Sequence, residues 1–479
     1  MKRRDFLKYA GVSGLAMSVG ACDKVELPLS DKEKNRKPNI IYILADDLGY
    51  GDLGCYGQDK IKTPNIDRMA AEGMKFTDHY SGNAVCAPAR CSLMTGMHPG
   101  HATIRENSQL PLRPNDVTVA QLLKKAGYAT GVVGKWGLGE EGSISVPNKV
   151  GFDYFYGYLN QGVAHFYYTP WIWENDKKIM IEENANGKRG VYTHDLLTKE
   201  ALSFISKSKD QPFFLYLAYA IPHAEMAVPE DSLAEYKGKF PEKPKTKNEG
   251  GGGGYGTGLP RYGAQEYPNA CYAAMISRMD GDVGRIFGLL KELGLDEDTL
   301  VIFTSDNGPS GEGGNSASFF DSNGPLRRQK ASLYEGGIRV PMIARWPGKI
   351  KENTTSSFVS AFWDILPTCT DMAGVGIPPK TDGVSLVPTF LGDEVQKHEF
   401  LYWELGRVKA QAVRMGDWKG LNFFVEGRFE LYNLKEDIGE KNNIADKHPD
   451  IVKKIKAIMK KEHVPSQYFR LPIDPKSKR

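Results

Sequence analysis

The chain has 479 residues, 41% hydrophobic and 25% charged, which suits a soluble fold of one large domain with a smaller companion. Its 62 basic and 59 acidic residues leave +3, and Lys2, Arg3, Arg4 and Lys8 against Asp5 account for all of that excess. The balanced remainder excludes a dedicated nucleic-acid surface, and 6 cysteines in so long a chain exclude a disulfide scaffold.

Residues 1–21 open with Lys2-Arg3-Arg4-Asp5-Phe6-Leu7-Lys8 and continue as a mildly apolar run from Tyr9 to Ala21. The run is too short and too rich in Gly and Ser to span a membrane. Arg3-Arg4 with Phe6-Leu7-Lys8 resembles a twin-arginine export signal, and Val19-Gly20-Ala21-Cys22 resembles a lipobox. The expectation is export by a bacterium to the periplasm or outer membrane, with membrane contact only through a lipid anchor on Cys22. Residues 22–37 are polar and read as a tether.

Pro38 to Ala45 is a continuous apolar run, read as a strand buried on both faces. It ends in Asp46-Asp47. Carboxylates at the carboxyl end of such a strand lie where open α/β sheets bind ligands, so the pair is a candidate metal site. A turn or a helix cap is the structural alternative.

The stretch Cys86-Ala87-Pro88-Ala89-Arg90-Cys91-Ser92-Leu93-Met94-Thr95-Gly96 follows a Ser/Gly/Asn-rich approach. Pro88 suits the first turn of a helix, where its missing N–H costs nothing. Cys86 then sits at or just before the helix N-terminus, where amides and dipole favour an anion. Arg90 falls one turn on, on the same face, where a guanidinium can grip a tetrahedral oxyanion. A buried structural cysteine is the alternative.

Helices are expected over 116–126, 194–206 and 269–293, and strands over 128–133, 212–218, 300–304 and 340–344. Three of these strands run into Gly134-Lys135-Trp136-Gly137, Pro222-His223 and Ser305-Asp306-Asn307-Gly308. The alternation predicts an α/β fold with a large, mostly parallel central sheet and helices on both faces. Gly238 to Tyr267, with the run Gly250 to Gly254, breaks the rhythm and reads as an insertion near the site mouth. Short strands over 399–404, 410–415, 418–424 and 428–432, then an amphipathic helix over 449–461, predict a smaller antiparallel-sheet α+β subdomain. The expected division is an export signal (1–21), a tether (22–37), a catalytic domain (38–380) and a C-terminal subdomain (381–479).

Cys86 to Gly96 resembles the signature of the type I sulfatases, C-x-P-(S/A)-R followed by a hydrophobic pair and Thr-Gly. These enzymes belong to the alkaline-phosphatase-like superfamily, and the resemblance runs from about residue 38 to 435. It implies a sulfuric ester hydrolase in which Cys86 is oxidised to formylglycine (3-oxoalanine). The maturing partner would be a formylglycine-generating enzyme or an anaerobic sulfatase-maturating enzyme. One hydroxyl of the hydrated aldehyde would attack sulfur, and the other would then expel sulfate, splitting one difficult step in two. The resemblance also implies one Ca2+ held by Asp46, Asp47, Asp306, Asn307 and the modified Cys86, since hard oxygen ligands suit calcium. Arg90, Lys135 and Lys330 fit the sulfate-binding cations, and His223 fits a general acid at the leaving oxygen. One departure is plain: the family pattern Gly-Lys-Trp-His-Leu-Gly has Gly137 in place of its histidine here. His165 or a water is the expected replacement.

His98, His101, Arg105, Glu106 and Asn107 are candidates to line a specificity pocket, with Arg105, Asn107 and His165 the substrate-binding expectations. The aromatic run from Tyr167 to Trp173 suits a sugar ring or an ordinary core. A sulfated galactose or N-acetylgalactosamine of a polysaccharide or host glycan is the expected substrate, by general resemblance to bacterial exo-sulfatases. Two other functions stay open. One is a phosphonate monoester or phosphodiester hydrolase of the same superfamily. The other is a catalytically dead, lipid-anchored glycan-binding protein, marked by Gly137. The states of Cys55, Cys91, Cys271 and Cys369 are not legible from the sequence.

Overall fold

Asn39–Ala45 forms strand β1, and all of its residues are buried. Its alternate side chains enter different cores, as a strand covered on both faces requires. Ile41 and Ile43 face one apolar cluster, while Ile40, Tyr42 and Leu44 face the other. The computed structural model describes residues 37–247, 259, 261–393 and 396–475. The expected export signal, Cys22, the tether to residue 36 and the run 250–254 lie outside the described residues.

Among the described residues the main sheet has ten strands. At its centre β1 lies between β3 (Phe213–Ala218) and β4 (Thr299–Ser305), with β2 (Ala129–Lys135) beyond β3. These four strands are parallel to one another. Tyr154–Tyr158 continues the parallel set beside β2, and Trp171–Glu174 and the edge strand Lys177–Met180 then run antiparallel. On the other side Met342–Arg345 pairs antiparallel with β4, followed by Met74–Phe76 and Thr354–Ser356. Helices Pro268–Glu292 and Thr193–Lys207 cover one face. Helices Cys86–Thr95, Val119–Lys125 and Ile365–Met372 cover the other. The architecture is the expected mostly parallel α/β sheet with helices on both faces.

Several boundaries differ from expectation for local reasons. The helix expected from residue 116 starts at Val119, because Thr118 and Gln121 form a reciprocal capping box there. The aromatic run divides: Tyr167 is buried in the core, and Trp171–Glu174 is the strand next to the sheet edge. Among the described residues, no helix is long and apolar enough to cross a membrane.

A separate antiparallel sheet orders Leu401–Leu405, Ala410–Met415, Trp418–Phe423 and Arg428–Asn433 side by side. One face packs on the helix Pro449–Glu462 through Tyr402, Val413, Leu431, Ile455 and Met459. The other face meets Tyr80, Val85 and Trp363 through Trp403 and Leu421. Charge reinforces this junction. Lys419 Nζ lies 2.8 Å from Glu335 and 2.8 Å from Glu440, with all three side chains buried. Glu335 also accepts from the Tyr80 hydroxyl at 2.6 Å and from Arg339 at 3.1 Å. Burial opposes its charge, but Lys419, Arg339 and Arg414 outweigh burial and hold its carboxyl at about 2. Removing the ammonium alone leaves two buried carboxyl groups without their shared partner. Lys419→Met is therefore expected to destabilise the fold by about 3–5 kcal/mol, read by denaturant unfolding.

Candidate active site

The carboxyl ends of the central strands converge, the place where open α/β sheets bind ligands. β1 delivers Asp46 and Asp47, and β4 delivers Asp306 and Asn307. Lys135 is the last residue of β2. The segment after β3 carries His223. Helix α1 (Cys86–Thr95) starts beside them, with Cys86 as its first residue and Arg90 one turn on. Asp46, Cys86, Arg90, Lys135, Asp306 and Asn307 are fully buried. Asp47 holds a left-handed backbone conformation at φ 64°, a strain that recurs at functional sites.

Each carboxylate has a cation. Lys135 Nζ donates to Asp46 Oδ2 at 2.6 Å, and Lys330 Nζ donates to Asp47 Oδ2 at 2.7 Å. Arg90 donates to Asp306 Oδ2 through Nε at 3.1 Å and Nη2 at 2.8 Å. Its Nη1 donates to the Lys135 carbonyl at 2.8 Å. The guanidinium is thus spent on the cluster itself. Nη2 also lies 3.4 Å from Asp46 Oδ2, and Nη1 donates to the Tyr216 hydroxyl at 3.5 Å.

Candidate ligand atoms of Asp46, Asp47, Cys86 and His223 all lie within 4.8 Å of one another. Asp306 Oδ1 accepts from the Asp47 N–H at 3.2 Å, and Asn307 Nδ2 donates to Asp47 Oδ1 at 2.7 Å. Asn307 Oδ1 is buried and has no hydrogen-bond partner. A buried oxygen left unpaired costs about 1–3 kcal/mol, and a cation would satisfy it. Three carboxylates and an amide oxygen are hard donors, so the residues present fit an oxygen-preferring divalent ion.

The fields inside the cluster follow from burial. Burial opposes the Asp46 charge, but Lys135, His223 and Arg90 outweigh it and hold that carboxyl well below its ordinary range. Burial and then the Asp46 charge push Asp306 up to about 6. Burial, then Asp306 and Asp46, push the Cys86 thiol well above its ordinary value. An unmodified Cys86 is therefore a protonated thiol, donating to Asp46 Oδ1 at 3.3 Å, and a poor nucleophile.

Two histidines close the site. Their rings stack at 3.7 Å with 16° between planes. His223 Nδ1 lies 2.5 Å from the Ala224 carbonyl, which assigns the proton to Nδ1 and leaves Nε2 to accept from Lys330 Nζ at 2.8 Å. His165 Nε2 lies 3.1 Å from Lys135 Nζ, and its Nδ1 lies 2.9 Å from the Tyr262 hydroxyl. Burial lowers the basicity of both rings. Tyr167, unmarked as a site residue by sequence reasoning, holds this corner. Its hydroxyl donates to the carbonyls of Ala220 at 2.8 Å and His223 at 2.6 Å.

The substrate-binding expectations separate. His165 joins the cluster. Asn107 Oδ1 accepts from the Ala87 N–H at 2.9 Å, so it caps the first turn of α1 beside Cys86. Arg105 is buried against the C-terminal sheet, donating to Glu404 and to the Val464 carbonyl, each at 2.7 Å. His98 and His101 stack on each other and meet Asp382 and Glu462. Glu106 accepts from the Arg407 N–H. The structure ties none of these last four side chains to the carboxylate cluster.

The space at Gly137 has an occupant that sequence reasoning missed. A Cβ on residue 137 would lie 2.7 Å from Gln161 Cγ. Gln161 opens the short helix Gln161–Ala164, with His165 at its C-cap, so the two side chains share a face. Gln161 is buried, and both its amide Oε1 and Nε2 have no hydrogen-bond partner. A lone glutamine at the start of so short a helix carries no local signal of such a contact.

Paired cations and hard oxygen donors around a helix-borne Cys86 define a centre for hydrolysing an anionic ester. Known proteins agree. The family model described as Sulfatase matches residues 38–375, and one described as N-sulphoglucosamine sulphohydrolase, C-terminal, matches residues 328–465. The chain is 30% identical to the N-acetylgalactosamine-6-O-sulfatase of Bacteroides thetaiotaomicron, over 93% of this chain and 96% of that protein. It is 32% identical to arylsulfatase A of Homo sapiens, over 88% of this chain and 87% of that protein. The solved structure of Ps i-CgsB in complex with k-i-k-neocarrahexaose superposes with a TM-score of 0.76 at 28% identity, covering 92% of this chain and 95% of that chain. The chain belongs to the sulfatase family, the type I sulfatases of the alkaline-phosphatase-like superfamily, and is a sulfuric ester hydrolase.

Restoring the family histidine here is expected to fail. Gly137 has φ 73°, where a side chain costs roughly 1–2 kcal/mol before any clash with Gln161. Gly137→His should lower the melting temperature, and Gly137→His with Gln161→Gly should recover only the part due to the clash.

Proposed function

We propose that this protein releases sulfate from a sulfated saccharide, using a formylglycine made from Cys86 and one Ca2+. N-acetylgalactosamine 6-sulfate and sulfated galactose residues of a polysaccharide or glycan are the first substrates to try. The observation that carries the reading is the convergence of Asp46, Asp47 and Cys86, the residue that opens a buried helix, within 4.8 Å, with the unpaired Asn307 Oδ1 on the side chain bonded to Asp47. The relatives support the sugar: one 30% identical over 93% of the chain is an N-acetylgalactosamine-6-O-sulfatase.

The hydrated aldehyde would supply a hydroxyl nucleophile that can be regenerated as an aldehyde, which an ordinary serine or cysteine cannot do. Ca2+ on Asp46, Asp47, Asp306, Asn307 and an oxygen of residue 86 would lower the charge cost of bringing an anionic ester to that nucleophile. The rest falls to the chain's own side chains. Arg90 fixes Asp306 and the end of β2, and so holds Lys135 in register. Asn107 fixes the first turn of α1 beneath residue 86. Lys135 and Lys330, which donate to Asp46 and Asp47 at the floor of the site, would also present their ammonium groups to the sulfate oxygens. Lys330 Nζ also donates to His223 Nε2, so the Lys330–His223 pair would supply the proton to the leaving oxygen. His165, stacked on His223 and bonded to Lys135, takes up part of the role that Gly137 leaves vacant.

The same reading keeps the chain outside the cytoplasm, anchored by lipid on Cys22, and makes a formylglycine-generating or anaerobic sulfatase-maturating enzyme its necessary partner. It also keeps 38–380 as the catalytic domain and 381–479 as the smaller subdomain.

The test is turnover by the matured protein. It is expected to hydrolyse aryl sulfate and N-acetylgalactosamine 6-sulfate, to lose activity on chelation, and to regain it with Ca2+ rather than Zn2+. Cys86→Ala should remove turnover. Preference for an aryl phosphodiester would move the assignment to the phosphonate and phosphodiester hydrolases. Binding of a sulfated sugar with no sulfate release would move it to a binding protein.

A further inference from the structure

Glu312 follows β4 in the loop beyond Asn307, and no sequence motif marks it. Its Oε2 lies 3.9 Å from His223 Nε2, yet its side chain is 55% exposed. It therefore stands on the open side of a cluster that is otherwise buried, beside the ring assigned to the leaving oxygen.

Burial opposes its charge, but Lys330, His223 and Lys135 outweigh burial and hold its carboxyl below its ordinary range, so it stands ionised. Asp46, Asp47 and Asp306 are already matched by Lys135, Lys330 and Arg90. A further carboxylate at the mouth of a site for an anionic ester works against the sulfate itself. It becomes useful only through the part of the substrate next to the sulfate. An ionised carboxylate accepts hydrogen bonds and donates none. It therefore suits a neighbour with a hydroxyl or N–H group, and it repels a second anion.

We propose that Glu312 sets specificity by accepting a hydrogen bond from a hydroxyl or N–H group adjacent to the reacting sulfate ester, and so excludes saccharides with a second sulfate at that position. The proposal rests on the sulfated-saccharide reading. It places a specificity determinant on the leaving-group side of the site, where Glu312 lies 3.9 Å from His223 without being part of the buried cluster. The competing role is a counter-ion for the Lys330–His223 pair.

The test compares Glu312→Gln with the parent enzyme, both matured. The substrates are a monosulfated saccharide, its vicinally disulfated analogue, and an aryl sulfate that lacks the neighbouring hydroxyl. The parent should prefer the monosulfated sugar. In the variant kcat/KM for that sugar should fall roughly tenfold to hundredfold, mainly through KM, as expected for loss of a hydrogen bond to a charged group. The disulfated analogue should gain, and aryl sulfate should change least. Equal losses on all three substrates, or an unchanged ratio between the two sugars, would overturn the proposal in favour of the counter-ion role.

Calorimetric binding of the two sugars to Cys86→Ala protein, with and without Glu312→Gln, reads the same discrimination without turnover. Selectivity lost with the carboxylate supports the proposal. Binding of neither sugar overturns it. Aryl sulfate turnover with neither saccharide hydrolysed marks failure of the saccharide reading itself.

Discussion

The structure depends on keeping three carboxylates and three cations together with almost no water. Removing a charge from water costs several kcal/mol, and each member of the cluster is tolerable only because its partner is within hydrogen-bonding distance. Asp46 with Lys135, Asp47 with Lys330, and Asp306 with Arg90 meet that condition. The pairs join segments far apart in sequence. They can form only if β1, β2 and β4 end at one level and α1 starts there. The apolar runs that bury these strands on both faces are therefore what allow the charge to be assembled.

Much of this was legible in the sequence because its signals are local. Continuous apolar runs marked β1, β3 and β4, and Asp-Asp or Asp-Asn at their ends placed carboxylates at the sheet edge. The Cys86 stretch marked the start of α1, through Pro88 and the Cys86–Arg90 spacing. The last two strands, Trp171–Glu174 and Lys177–Met180, were not legible, since each has only four residues and the second is exposed throughout. Arg105 reads in the sequence as a substrate-binding residue of a specificity pocket. Its buried partner, Glu404, comes from a strand of the C-terminal sheet, and no spacing in the sequence announces that pairing.

Gly137 shows how a local reading and a spatial one differ. In sequence the glycine is an absence. In the structure it is the point where a left-handed turn lets Gln161 approach. His165, on the same helical face, reaches Lys135 and stacks on His223. Gln161, from the segment after Tyr158, thus fills the space that Gly137 leaves bare. The C-terminal sheet acts at longer range. Glu335, five residues beyond Lys330, is held by Lys419 from that sheet, so the segment that presents Lys330 is anchored from outside the main sheet.

The central claim is that Cys86 works as an aldehyde and not as a thiol. The most direct measurement is the mass of the tryptic peptide Phe76 to Arg90, from protein made with and without a maturing enzyme. The account predicts a peptide lighter by the thiol-to-aldehyde difference only when that enzyme is present, with sulfate release tracking the converted fraction. An unmodified Cys86 in protein that is fully active, or that stays unconverted beside a competent maturing enzyme, would contradict it.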